Sequence, residues 1–267
     1  MTPDGLITSE FDDAAIIDPV ARRRDDEWHD GEDEPDDDDL VDLELVVFDL
    51  IGALVADDGL TERAFAVAAA TAGLGRDATE RHRATAYFRS ASGQSTLSVF
   101  RALAGDEDQA QHANAVFESS YADLAATEGL RPLAGAEELV ERLQDIGVRV
   151  AIATGFSRAT LDAVLDALDW RDLADVTLTP AEAGRGRPYP DLALAALLRT
   201  GASSVESMVV VGSTTSDVAS GAAAGAGLVV GVLGGAHDER ALLAAGADAV
   251  ISSVAELPEL LGQPVIR

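Results

Sequence analysis

Cysteine is absent from all 267 residues, which excludes disulfides, thiolate metal sites and a cysteine nucleophile. Lysine is absent as well: the 19 basic residues are all arginine. That removes every mechanism built on an amine nucleophile or a Schiff base. Aromatic residues make up only 4% of the chain, so packing is expected to rest on small and β-branched side chains. Positive charge is scarce, with a net charge of −29 and a pI near 4.2. Such a field opposes binding to nucleic acid or to an anionic membrane. It also means that any phosphate site must create its own local positive field. No apolar run is long enough to cross a bilayer: the longest, residues 222–236, is broken by five glycines. The first residues are polar and acidic, unlike a secretory leader. A cytoplasmic location is the resulting expectation.

What is present is a 47% hydrophobic chain, ample for a folded core, preceded by a segment of different character. Residues 1–43 carry 17 Asp and Glu against three Arg, including the run Asp36-Asp37-Asp38-Asp39. Self-repulsion and a shortage of apolar surface predict a disordered acidic tail, with room for a short helix near residues 11–17. From Glu44 the pattern changes. Leu45-Val46-Val47-Phe48 is a continuous apolar run ending in Asp49, as a strand buried on both faces requires. Similar runs recur at 148–153, 176–178, 208–211, 228–232 and 249–251. Helical periodicity fills the intervals, at 136–146, 158–168 and 191–200 among others. Gly147, Gly201, Gly227 and Gly246 serve as helix stops, and Thr179…Glu182 and Ser203…Glu206 read as capping boxes. The alternation predicts an α/β fold, a doubly wound Rossmann-like parallel sheet. Residues 58–130 contain only helical stretches, an inserted all-helical cap domain. Residues 44–57 and 131–267 then form the core.

Four strand ends carry polar groups. Asp49 closes the first strand and is followed by a tight turn at Gly52. A carboxylate exposed there can act as a nucleophile, and the free backbone amides around it, at Leu50 and Ile51, form a nest that can hold an anion. Thr154-Gly155 follows the second strand, where a hydroxyl and an unobstructed backbone can bind phosphate oxygens. Arg187 stands in the stiff segment Gly184-Arg185-Gly186-Arg187-Pro188-Tyr189-Pro190, a fixed cation for developing negative charge. Ser213 and Asp217 follow the fourth run. Each alone is ordinary turn chemistry; together, in order on successive strand ends, they point to one site.

The stretches FDLIGALVADDGL (48–60), SGQST (92–96), ATGFSR (153–158), GRPYPD (186–191) and VLGGAHD (232–238) resemble the haloacid dehalogenase superfamily, and within it the phosphonatase-like branch. The resemblance implies that Asp49 forms a covalent aspartyl intermediate, that Thr154 with Gly155 holds the transferring group, and that Arg187 orients both. It implies Mg²⁺ between the Asp49 carboxylate, the Ile51 carbonyl and the acids of the fourth motif, and a small phosphorylated molecule as substrate. It also places Thr96 over the site, where phosphonoacetaldehyde hydrolases carry their Schiff-base lysine; without lysine, that reaction in its known form is excluded.

The chain departs from the pattern elsewhere too. Ile51 replaces a second Asp that serves phosphatases as general acid and base, Ala53 replaces a Thr, and Ser213 replaces the first acid of the fourth motif, leaving Asp217 alone there. A neutral hydroxyl is a poor substitute for a carboxylate, so a weakened Mg²⁺ site is expected. Three readings follow: a hydrolase of small phosphate esters or related phosphorus compounds, a catalytically impaired binding relative, and a metal-free haloacid dehalogenase. His237, just after a strand, is a further candidate for lining the site.

Overall fold

The computed structural model describes residues 16–17 and 41–262. Six parallel strands form one sheet: β1 (Leu45–Asp49), β2 (Arg149–Ala153), β3 (Val176–Leu178), β4 (Met208–Gly212), β5 (Leu228–Val232) and β6 (Ala249–Ile251). Their spatial order is β3-β2-β1-β4-β5-β6, a doubly wound arrangement whose direction of winding reverses between β1 and β4. Ligands in such sheets bind at the carboxyl ends of the strands beside that reversal.

The apolar runs are strands because both faces of the sheet are covered. Val46, Phe48, Val150, Ile152, Val209 and Val211 face one buried cluster. Their alternates Leu45, Val47, Ala151, Met208 and Val210 face the other. Period-two alternation within unbroken hydrophobic text is what a strand packed by helices on both sides demands. Register then sets the height of the strand tips: Asp49 lies opposite Ala153 on β2, and Phe48 opposite Val211 on β4.

Between β1 and β2 the chain leaves the sheet and forms α1 (Leu60–Thr71), α2 (Ala78–Ser90), α3 (Thr96–Leu103) and α4 (Glu107–Glu128). Asp77 caps α2 by accepting from the Glu80 amide, and Asp106 caps α4 by accepting from Gln109. The outgoing and returning segments run side by side: the Ala56 amide donates to Arg131 O at 2.9 Å and Leu133 to Leu54 O at 2.8 Å. The few aromatic residues are concentrated here. Phe65 stacks on Phe88 and Phe100, both of which meet Phe117 at a tilt; Phe117 stacks on Tyr121, and Phe156 from the loop after β2 joins them, 4.9 Å from Tyr121. The packing of the insertion therefore rests on aromatic rings, while the sheet rests on Val, Ala and Leu.

The remaining helices are α5 (Ala136–Asp145), α6 (Arg158–Leu168), α7 (Pro180–Ala183), α8 (Asp191–Thr200), α9 (Thr215–Ala224), α10 (Glu239–Ala244) and α11 (Leu257–Leu260). The Thr179…Glu182 capping box forms, but Ser203…Glu206 does not. No helix starts at 203, and the Ser203 amide and hydroxyl donate to the Glu44 carboxylate instead. The left-handed stop of α9 is Gly225, not Gly227. A side chain at Gly227 would strike the Glu206 carbonyl, so that glycine is needed for close approach. Of the predicted short helix at residues 11–17, Ile16–Ile17 are strand, paired antiparallel with Val41–Asp42. The rest of it and most of the acidic segment lie outside the described residues. Among the described residues no helix is long and apolar enough to cross a membrane.

Candidate active site

Asp49 ends β1 at the reversal point and is 6% exposed, lining a pocket of about 530 Å³. The pocket is closed from below by the strand tips (Asp49, Thr154, Ser213) and from above by residues of the insertion, among them Phe88, Gly93 and Thr96. The chain can turn sharply after Asp49 because Gly52 adopts φ +89, a conformation costly for any residue with a Cβ. The Gly52 amide donates to Val55 O at 2.7 Å and closes that turn.

Arg187 organises the acids. Its Nη1 donates to Asp49 Oδ1 at 2.9 Å, its Nη2 to the Ala153 carbonyl at 3.0 Å, and its Nε lies 2.7 Å from Asp217 Oδ1. All three guanidinium nitrogens are thus committed, to two acids and the end of β2. The contact to Asp217 is an ion pair without hydrogen-bond alignment. The other oxygen of Asp217 accepts from the Thr214 amide at 2.9 Å and the Thr214 hydroxyl at 2.7 Å. Thr214 and Asp217 form a capping box at the start of α9, with the same T-x-x-acid spacing as Thr179…Glu182. This clamp is the functional pairing that sequence reasoning passed over, although the spacing was there to be read.

Burial governs the electrostatics. Loss of hydration pushes the Asp49 carboxyl up to about 7, and the nearby Asp217 charge adds to the rise; the Arg187 charge, the Leu50 amide and the Arg187 hydrogen bond oppose it. Burial lowers the Arg187 pKa, but Asp217 and Asp49 together more than offset that and leave it raised.

Thr154 is buried, and its hydroxyl accepts from the Phe156 amide at 3.3 Å. Gly155 sits directly beneath the insertion: its carbonyl accepts from the Thr96 amide at 3.2 Å, and a Cβ there would collide with the Gln94 carbonyl. Thr96 lines the pocket, with its hydroxyl donating to Asn114 Oδ1 at 2.8 Å. Ile51 also lines the pocket, presenting an apolar side chain. His237 lies at the start of α9, its Nδ1 accepting from the Thr215 amide at 3.3 Å.

Ser213 is fully buried. Its hydroxyl is wedged between Gly52 and Gly235, since a Cβ at either would overlap it, and it donates to the Ile51 carbonyl at 3.3 Å. Against the donor set of a magnesium ion this arrangement falls short. Magnesium favours carboxylate and water oxygens in tight octahedral geometry. Here the Ile51 carbonyl already accepts from Ser213, the position next to it is a neutral hydroxyl, and both Asp217 oxygens face Thr214 or Arg187. Among the described residues no group of three or more His, Asp or Glu is disposed to hold a metal. The residues do not fit the ion.

The sequence pattern of haloacid dehalogenase-like hydrolases matches residues 43–225. A phosphonoacetaldehyde hydrolase of Bacillus cereus is 32% identical over 104 residues, a match covering 39% of this chain and 39% of that protein. A hydrolase from Pseudomonas syringae superposes with a TM-score of 0.72 at 24% identity, covering 82% of this chain and 98% of its own. A hydrolase of the same family from Deinococcus radiodurans, whose structure contains bound phosphate and sodium, superposes with a TM-score of 0.58 at 29% identity, covering 82% and 95%.

Proposed function

We propose, from the premise that this chain belongs to the haloacid dehalogenase-like hydrolases, that it hydrolyses small phosphorus compounds through a covalent intermediate on Asp49. The observation that carries the reading is the Arg187–Asp49 contact at 2.9 Å, buried at a strand tip and opening onto a pocket of about 530 Å³. Arg187 fixes Oδ1 and leaves the second carboxylate oxygen as nucleophile. That oxygen attacks phosphorus, the bond to the leaving group breaks with its electron pair, and an acyl phosphate forms. Water then attacks the acyl phosphate, releasing orthophosphate and restoring the carboxylate. Thr154, the Gly155 backbone and the turn at Leu50 and Ile51 surround the phosphoryl oxygens. The insertion acts as a cap that excludes bulk water, with Thr96 on its inner surface.

Ile51 stands where a proton donor to the leaving group would be useful, and its side chain can give none. Leaving groups must therefore depart as stable anions, so aryl and acyl phosphates are favoured over alkyl phosphates. Turnover of p-nitrophenyl phosphate that disappears in Asp49→Asn supports the proposal. Absence of turnover over a broad panel of aryl, acyl and alkyl phosphates and phosphonates overturns it.

One observation favours a second reading. Ser213 and Ile51 together withdraw the acids that phosphoryl transfer uses, while leaving a nucleophilic carboxylate fixed by a cation. The same atoms suit displacement of halide from carbon. Chloride release from 2-chloropropionate, with no turnover of phosphate esters, marks that outcome.

A further inference from the structure

We infer that the site works without a divalent metal ion, with the Arg187 guanidinium as its standing cation. The inference rests on the reading of Asp49 as nucleophile and concerns what balances its charge.

Three placements carry it. Arg187, 6% exposed, reaches both acids at once, at 2.9 Å from Asp49 and 2.7 Å from Asp217. Ser213 fills the space beside the Ile51 carbonyl with a neutral group, and Gly52 and Gly235 close around its hydroxyl. Thr214 holds the other Asp217 oxygen with two hydrogen bonds, at 2.9 and 2.7 Å. Opening a seat for an ion would mean breaking the Ser213 contact and turning Asp217 out of its cap.

Charge points the same way. Two carboxylates against one guanidinium leave the cluster with one negative charge in excess. A divalent ion would overshoot to one positive charge, and it would stand against a guanidinium that shares the same carboxylate oxygens. Like charges crowded onto shared carboxylate oxygens repel. A guanidinium is planar, permanently charged and able to bind two acids in fixed directions. It therefore holds the nucleophile in place and balances its charge from beneath the pocket without a mobile ion.

The test is isothermal titration of Mg²⁺ into chelator-treated full-length protein, alone and with orthophosphate. It is paired with p-nitrophenyl phosphate turnover in excess EDTA and in excess Mg²⁺. No saturable Mg²⁺ heat is expected, and phosphate affinity and turnover should agree between the two buffers within about twofold. A saturable Mg²⁺ heat, or phosphate binding tightened about tenfold by Mg²⁺, overturns the inference. Turnover that requires Mg²⁺ overturns it while leaving the Asp49 hydrolase standing. Lack of turnover in both buffers, with no Mg²⁺ heat, overturns the Asp49 hydrolase and with it the catalytic role of Arg187, while the absence of a Mg²⁺ seat stands. Ser213→Asp is expected to gain a Mg²⁺ heat, and the wild-type titration decides the matter whether or not that variant folds.

Discussion

Replacing Asp49 by asparagine is expected to stabilise the fold above neutral pH while abolishing turnover. The Asp49 carboxyl titrates near 7 in the folded protein against an ordinary value of 3.8, chiefly because burial strips its hydration. A carboxyl whose pKa rises on folding binds its proton more tightly in the folded state. Its favourable contribution is complete below about pH 4 and is lost as pH rises through about 7, where the folded protein must bury a charge. With about 1.4 kcal/mol for each tenfold gain in proton affinity, the rise from 3.8 to about 7 sets a ceiling of about 4 kcal/mol at alkaline pH. Because Arg187, Asp217 and Asp49 share one network, a realised gain of about 1–3 kcal/mol is expected. For a domain of this size that is roughly 2–4 °C in Tm for each kcal/mol. Asparagine keeps the shape and can still accept from Arg187, so the comparison isolates the charge. Thermal or urea unfolding of both proteins, followed by circular dichroism at about pH 5 and about pH 8.5, reads the difference. The gap at the lower pH should be roughly 40% of that at the higher. An equal offset at both pH values, or a less stable variant at the higher one, would refute the reasoning.

Two further outcomes follow from the same geometry. The nucleophile must be ionised, so kcat/KM should climb about tenfold per pH unit below about 7 and level off above it; a flat profile from pH 5 to about 8 would show that Asp49 is already charged throughout. Gly155→Ala should drive the Gln94 carbonyl away from the strand tip, at about 1–3 kcal/mol of stability. Protease cleavage should rise within residues 92–96 if the contact closes the site as described, whereas an unchanged digestion pattern would place that segment elsewhere in solution.

The sheet was legible because burial on both faces writes itself into local text. All six strands fall on the predicted apolar runs, which only Arg149 and Thr177 interrupt with polar side chains, and α6 and α8 match their periodic segments residue for residue. Asp49, Thr154, Ser213 and Asp217 could be nominated because they lie at strand ends or a helix start, and Arg187 because Gly and Pro stiffen its loop; the sheet order brings the strand ends together. What local pattern could not carry was the contact between remote segments. Nothing in Gly155 announces that Gln94, some sixty residues earlier, rests against it. Ser203 carried a capping signal and lost its hydroxyl to Glu44, which reaches it from the far side of the chain. The aromatic cluster of the insertion was not legible either, because its rings meet across four helices and a loop.

The paired segments at Ala56–Arg131 and Leu54–Leu133 have a consequence for how such a molecule can change. Seventy-odd residues depart from and rejoin the sheet through neighbouring peptides, so their removal or exchange leaves two ends already within bonding reach. Helices above the catalytic floor can lengthen, shrink or be swapped while every strand keeps its partner. The chemistry and the choice of what reaches it are thereby free to drift apart, one anchored in β-structure and the other hung from a single doorway.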